Sequence, residues 1–93
     1  MKHCILVKWK DRQEAEEKYG EIRALFDGAV KIPGIAGVEY KRNCVDRENR
    51  YDLLILLDME ESALTAYDSS EMHQRWKREY GSLIASKAIF DFR

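Results

Sequence analysis

The residues of this chain that could do chemistry are its two histidines, His3 and His73, together with Tyr67. A neutral imidazole, with an ordinary pKa near ~6.5, can act as a general base, and a tyrosine hydroxyl can hold or polarise an oxygen. Tyr67 and His73 lie six residues apart in a helical region, whereas His3 is near the amino terminus. If the fold directs His3 towards the helices, the three side chains meet across a pocket, with His73 as base and Tyr67 as its assistant.

The same residues also admit a purely structural interpretation. Each histidine would then be partly buried and hydrogen-bonded to backbone, with Tyr67 and Trp76 in the core. A metal site is a weaker hypothesis, because two histidines on separate elements do not define a zinc or iron site without a carboxylate or cysteine alongside. Cys4 points away from His3 if both lie on one strand. We therefore expect no metal and no cofactor, and the sequence contains no CxxC, HExxH, G-x-S-x-G or phosphate-binding glycine loop.

The charge balance and the absence of long apolar segments argue against nucleic-acid and membrane partners. The 93 residues include 16 basic and 17 acidic side chains, for a net charge of −1. No cluster of Lys and Arg indicates a nucleic-acid interface, and no apolar stretch approaches the ~20 residues that would span a bilayer. The amino terminus does not resemble a signal peptide, and Cys4 and Cys44 are not at a metal-like spacing. We expect a cytoplasmic protein with reduced thiols that binds neither nucleic acid nor membrane.

Two strongly apolar segments determine the predicted fold. Residues 53–57 are five consecutive aliphatic residues, which predicts a strand covered on both faces, because a half-exposed strand alternates apolar and polar residues. Residues 2–10 predict a second strand of this kind, with His3, Ile5 and Val7 facing the same way. Both strands therefore need a cover on each side.

The remaining elements complete a β-α-β-β-α-β order. The pattern predicts a helix over about 13–31 with Tyr19 and Phe26 on its apolar stripe, a strand at 35–45, a loop at 46–50, helical pieces from 60 to about 82 containing Trp76, and a strand at 88–92. This order predicts an α+β, ferredoxin-like fold: a four-stranded antiparallel sheet with helices on one face and the two apolar strands central. A second copy is the simplest cover for the other face, which predicts a homodimer closing a β-barrel. RNA-recognition modules share the order, but their third strand needs a glycine and several exposed aromatics, which this strand lacks.

Five segments resemble the stress-responsive A/B-barrel (Dabb) family over nearly the whole chain. They are the opening Lys-His, aliphatic run and Lys-Trp-Lys of residues 2–10, Ile32-Pro33-Gly34-Ile35, Tyr51-Asp52-Leu53, residues 63–67 followed by His73, and Phe90-Asp91-Phe92. The resemblance implies one domain over 1–93, a ferredoxin-like protomer, a dimeric barrel, and a pocket between helices and sheet lined by His3, Ile5 and Val7.

The resemblance also bears on activity. In one plant member, a polyketide cyclase, the residues matching His73 and Tyr67 act as base and assisting hydroxyl. Where the family often has His-Pro-x-His, this chain has Ser70-Glu71-Met72-His73, which removes one polar pocket group.

Three hypotheses follow for the function. The chain is a dimeric binder of a small hydrophobic or aromatic ligand, a cofactor-free cyclase or lyase using His73, or a barrel-type monooxygenase. We expect Tyr19, Phe26 and Trp76 to complete the pocket; if they filled the space between the histidines, no ligand could enter.

Overall fold

The computed structural model describes residues 1–93. The strands are β1 (Lys2–Trp9), β2 (Ile35–Arg42), β3 (Leu53–Met59) and β4 (Ile84–Phe92), and the α-helices are α1 (Arg12–Asp27), α2 (Leu64–Ser69) and α3 (Glu71–Arg75). Short 3₁₀ turns cover Gly28–Lys31, Glu61–Ala63 and Gly81–Leu83, and a π-helical turn, Trp76–Tyr80, follows α3. The predicted element order is confirmed.

The four strands form one antiparallel sheet in the order β2-β3-β1-β4. The two apolar strands, β1 and β3, are therefore central, as their composition predicts. In the register of the sheet, His3 on β1 lies opposite Leu57 on β3 and opposite Asp91 on β4. This is the ferredoxin-like α+β fold that the sequence predicts.

Two strand boundaries differ from the prediction. β2 ends at Arg42 because Asn43 turns the chain: its side chain donates to the carbonyl oxygen of Val45 at 2.6 Å and accepts from the Val45 N–H at 3.1 Å. Such local hydrogen bonds compete with a strand ladder. β4 begins at Ile84 rather than at residue 88, because Ile84 already pairs with Trp9 of β1. Because Trp9 and Ile84 are far apart in the sequence, the residues around Ile84 do not by themselves indicate where the strand begins.

The core lies between the helices and one face of the sheet. Alternate residues of β3, among them Leu53, Ile55 and Leu57, are buried there against Phe26 and Trp76. The intervening Leu54 and Leu56 are only half-buried and face the other side. No helix combines the length and apolar character needed to cross a membrane.

The helix-free face of the sheet carries an apolar patch as well, beside charged residues such as Lys2 and Asp58. Side chains alternate between the two faces along each strand, and residues paired across strands point the same way. The side chains that pair with or alternate with Leu54 and Leu56 on this face include Cys4, Leu6, Phe90 and Phe92. Within one protomer Phe90 is 62% exposed and Phe92 44% exposed. Large aromatic side chains left this open indicate a contact surface.

Candidate functional site

A cavity of about 340 Å³ lies between the sheet and the α2–α3 region, at the end of β1 that contains His3. We call it the histidine cavity. Its volume falls at the lower end of the range for small-molecule sites, ~300–1,000 Å³. Ten residues line it: His3, Ile5, Leu64, Tyr67, Asp68, His73, Trp76, Lys87, Ile89 and Asp91.

The junction of α2 and α3 positions two of these side chains. Ser70 is the N-cap of α3, and its hydroxyl oxygen accepts from the backbone N–H of His73 at 3.2 Å. The same hydroxyl donates to the carbonyl oxygen of Tyr67 at 2.7 Å. A single serine therefore fixes the end of one helix relative to the start of the next, and with it the separation of Tyr67 and His73.

The imidazole of His73 is oriented by backbone. Its Nδ1 lies 2.9 Å from the carbonyl oxygen of Asp68, and because a carbonyl only accepts, Nδ1 must hold the hydrogen. In the neutral ring this leaves the Nε2 lone pair as the basic atom. Burial lowers the pKa of His73 from its ordinary 6.5, the hydrogen bond to Asp68 opposes this, and the charge of Lys77 lowers the pKa further. The ring is thus kept available as a neutral base.

The imidazole of His3 is oriented by a carboxylate. Its Nδ1 is 2.5 Å from Oδ1 of Asp91, and the carboxylate accepts the Nδ1–H hydrogen bond. His3 is only 6% exposed, so this partner also compensates for its burial. The second ring nitrogen, Nε2, takes part in no hydrogen bond within the chain. Two histidines at the cavity therefore each have Nδ1 engaged and Nε2 free.

Tyr67 lies between the two imidazoles. Its ring centroid is 5.4 Å from that of His3 and 4.7 Å from that of His73. The hydroxyl is buried and has no hydrogen-bond partner. Burial raises the pKa of Tyr67 far above its ordinary 10, and the nearby charge of Asp68 adds to this, so the hydroxyl stays protonated and can donate. An unsatisfied buried polar group of this kind costs about 1–3 kcal/mol.

Not all of the predicted pocket residues border this cavity. Ile5 and Trp76 line it, but Val7 and Phe26 lie in the core behind it. Phe26 packs edge-on against Trp76, with ring centroids 5.0 Å apart, and so supports the cavity wall. The aromatic side chains therefore leave the cavity open.

Tyr19 lies in a different place. It lines a separate cleft of about 350 Å³ at the Trp9 end of the sheet, where the Arg42 guanidinium lies 4.1 Å from its ring centroid. The charged groups of that cleft pair with one another, Arg12 with Asp46 and Asp52, and Arg42 with Glu16.

Five of the lining residues were not predicted from the sequence: Leu64, Asp68, Lys87, Ile89 and Asp91. For Asp91 a signal was present, since a carboxylate interrupts an apolar terminal strand between Phe90 and Phe92. Its partner could be identified only from the register of β4 against β1.

The geometry defines a ferredoxin-like α+β protein with acid–base groups at a cavity between sheet and helices. The family model of the Stress responsive A/B Barrel Domain (Dabb) matches residues 1–93. The chain belongs to this family.

Solved structures show the same fold at low sequence identity. A protein from Arabidopsis thaliana superposes with a TM-score of 0.80 at 20% identity, covering 99% of this chain and 92% of that one. A dimeric ferredoxin-like protein of unknown function from Thermobifida fusca gives 0.78 at 18% identity, with 98% and 87% covered. The hydroxynitrile lyase of Passiflora edulis gives 0.77 at 10% identity, with 98% and 89% covered. No curated protein sequence matches the chain.

Proposed function

We propose that the protein binds a small, largely apolar molecule bearing a carbonyl or hydroxyl oxygen in the histidine cavity, and that it catalyses proton transfer there without a cofactor. The reaction would be of the lyase or cyclase type. The observation on which this rests is the Tyr67 hydroxyl, which is buried with no hydrogen-bond partner on a ring that lies close to both imidazoles. A ligand oxygen would complete its hydrogen bonding.

In this proposal each polar group has a role. Nε2 of His73 takes a proton from a C–H or O–H group of the ligand, while the Tyr67 hydroxyl donates to the oxygen on which negative charge develops. The protonated His73 then returns this proton to the product, while His3, held by Asp91, lies on the other side of Tyr67. The Passiflora hydroxynitrile lyase shares the fold, which supports a lyase among the possible activities.

Deuterium exchange tests the proposed base without knowledge of the natural substrate. Acetophenone has an oxygen, an apolar ring and exchangeable protons next to its carbonyl, and NMR in D₂O follows their replacement. We expect the protein to accelerate exchange and His73→Gln to reduce the enzymatic rate by about 10²–10⁴-fold, the usual contribution of a general base. An unchanged rate in His73→Gln would remove His73 from the mechanism.

The same samples separate the other hypotheses. Saturable binding of acetophenone without exchange would favour a ligand-binding protein that does no chemistry. Oxygen consumption with a phenol as substrate would instead identify a monooxygenase.

We further propose that the protein is a homodimer in which two helix-free sheet faces pack together and close a barrel. The dimeric ferredoxin-like neighbours support this assembly. The exposed Phe90 and Phe92 support it from the chain itself, since a small protein gains stability by covering such a face.

A further inference from the structure

Three side chains of β4 form a row along the histidine cavity. Lys87, Ile89 and Asp91 are alternate residues, so they share one face of the strand, and all three line the cavity. At ~3.3 Å per residue, Lys87 and Asp91 lie about 13 Å apart along the strand. The row thus runs from a cation, over an apolar side chain, to the carboxylate that holds His3.

The Lys87 ammonium has no partner within the chain. Nine ion pairs are present, and none includes Lys87. Asp91, by contrast, is engaged with His3. Lys87 also acts within the cavity: the pKa of His73 is lowered chiefly by burial, and the positive charge of Lys87 contributes in the same direction.

We propose that the ligand of the histidine cavity is a small carboxylic acid whose carboxylate lies at Lys87 and whose carbonyl or hydroxyl oxygen lies at Tyr67. This inference rests on the proposed function, because it assigns the polarity of the ligand in the same cavity. The apolar middle of the ligand crosses Ile89, which is 49% exposed. Asp91 repels a carboxylate at the opposite end, so the charges of the row set one orientation.

That orientation places the reacting part of the ligand. With the carboxylate at Lys87, the oxygen-bearing part of the molecule lies at Tyr67, next to the imidazole of His73. A neutral analogue loses this alignment and the ion pair together.

A matched pair of probes tests the assignment. 5-Oxo-5-phenylpentanoate has a ketone, an aromatic ring and a carboxylate, and its methyl ester has the same skeleton with one added methyl group and no charge. Calorimetric titration of the intact protein should show the acid binding about five-fold more tightly than the ester, the strength expected of a partly exposed ion pair. The preference should shrink at high salt.

Substitutions of lysine test whether Lys87 is the group that binds the carboxylate. Lys87→Met should abolish the preference for the acid, Lys87→Arg should keep it, and Lys31→Met, at an exposed lysine outside the cavity, should leave it unchanged. Equal binding of acid and ester by the wild-type protein, or a preference that persists in Lys87→Met, overturns the assignment while leaving the cavity as a binding site. Binding of neither probe contradicts the cavity itself, and the anion site with it.

Discussion

His3 and Asp91 lie directly opposite each other on adjacent antiparallel strands, with the imidazole Nδ1 2.5 Å from the carboxylate oxygen. The contact joins residues 88 positions apart in the sequence. It fixes the ring of a buried histidine at the cavity, and it leaves Nε2 as the nitrogen without a hydrogen-bond partner in the chain.

The first prediction concerns the tautomer of His3. Because Asp91 accepts from Nδ1–H, the neutral ring should be protonated at Nδ1, and ¹⁵N NMR of the imidazole should show this form. Asp91→Ala should give a mixture of tautomers. Asp68→Ala is the control at the other histidine. His73 bonds to the backbone carbonyl of Asp68, which that substitution preserves, so the tautomer of His73 should not change. A His3 spectrum unchanged by Asp91→Ala would contradict the orienting role.

The second prediction is a pair of opposite effects on stability. Tyr67→Phe removes a buried hydroxyl without a partner, so the free energy of unfolding should stay the same or rise by up to about 1 kcal/mol. Ligand binding should weaken at the same time. Urea denaturation measures the first effect and calorimetry with the keto acid the second.

Tyr40→Phe is the matched control for this substitution. The Tyr40 hydroxyl lies 2.8 Å from a carboxylate oxygen of Asp27 and 2.9 Å from the carbonyl oxygen of Arg23. Its loss should lower the free energy of unfolding by about 1 kcal/mol. If Tyr67→Phe is as destabilising as Tyr40→Phe, the hydroxyl of Tyr67 has a partner in solution.

The third prediction follows from the lowered pKa of His73. The folded state binds the proton more weakly than the unfolded state, so this group lowers stability as the pH falls below the ordinary 6.5 and has no effect above it. The neutral, basic form of His73 predominates above the pKa of the ring in the folded protein. The deuterium-exchange rate should therefore rise with pH at values below 6.5. An NMR titration of the His73 ring measures the midpoint directly.

Substitution of a neighbouring cation should move that midpoint. Lys77→Met removes a positive charge that disfavours the protonated ring, so the pKa of His73 should rise. Lys31→Met should leave it in place. A wild-type midpoint above 6.5 would show that burial does not control the ring.

The fourth prediction separates the two faces of β3. Ile55 is fully buried against the helices, so Ile55→Asp should prevent folding. Leu54 is on the helix-free face, so Leu54→Asp should give a folded monomer, as measured by circular dichroism and sedimentation velocity. Val30→Asp, at an exposed apolar residue outside that face, should leave the dimer intact. A wild-type protein that sediments as a monomer at micromolar concentration would exclude the proposed assembly.

The sequence by itself determined the element order and the central position of β1 and β3. Five adjacent aliphatic residues place apolar side chains on both faces of a strand, so the sequence alone shows that both faces of β3 must be covered. The sequence also indicated Tyr67 and His73 together, because their relative position depends on a local helix cap at Ser70. Short-range hydrogen bonding of this kind is specified by neighbouring residues.

The tertiary structure decided everything that depends on register between distant strands. It placed Asp91 opposite His3 and Lys87 along the same cavity, and it put Tyr19 in a different cleft. It also fixed the phase of β3, with Ile55 towards the helices and Leu54 away from them. A strand that is apolar on both faces has no alternation to set its phase, so only pairing with its neighbours and packing against the helices can choose between the two orientations.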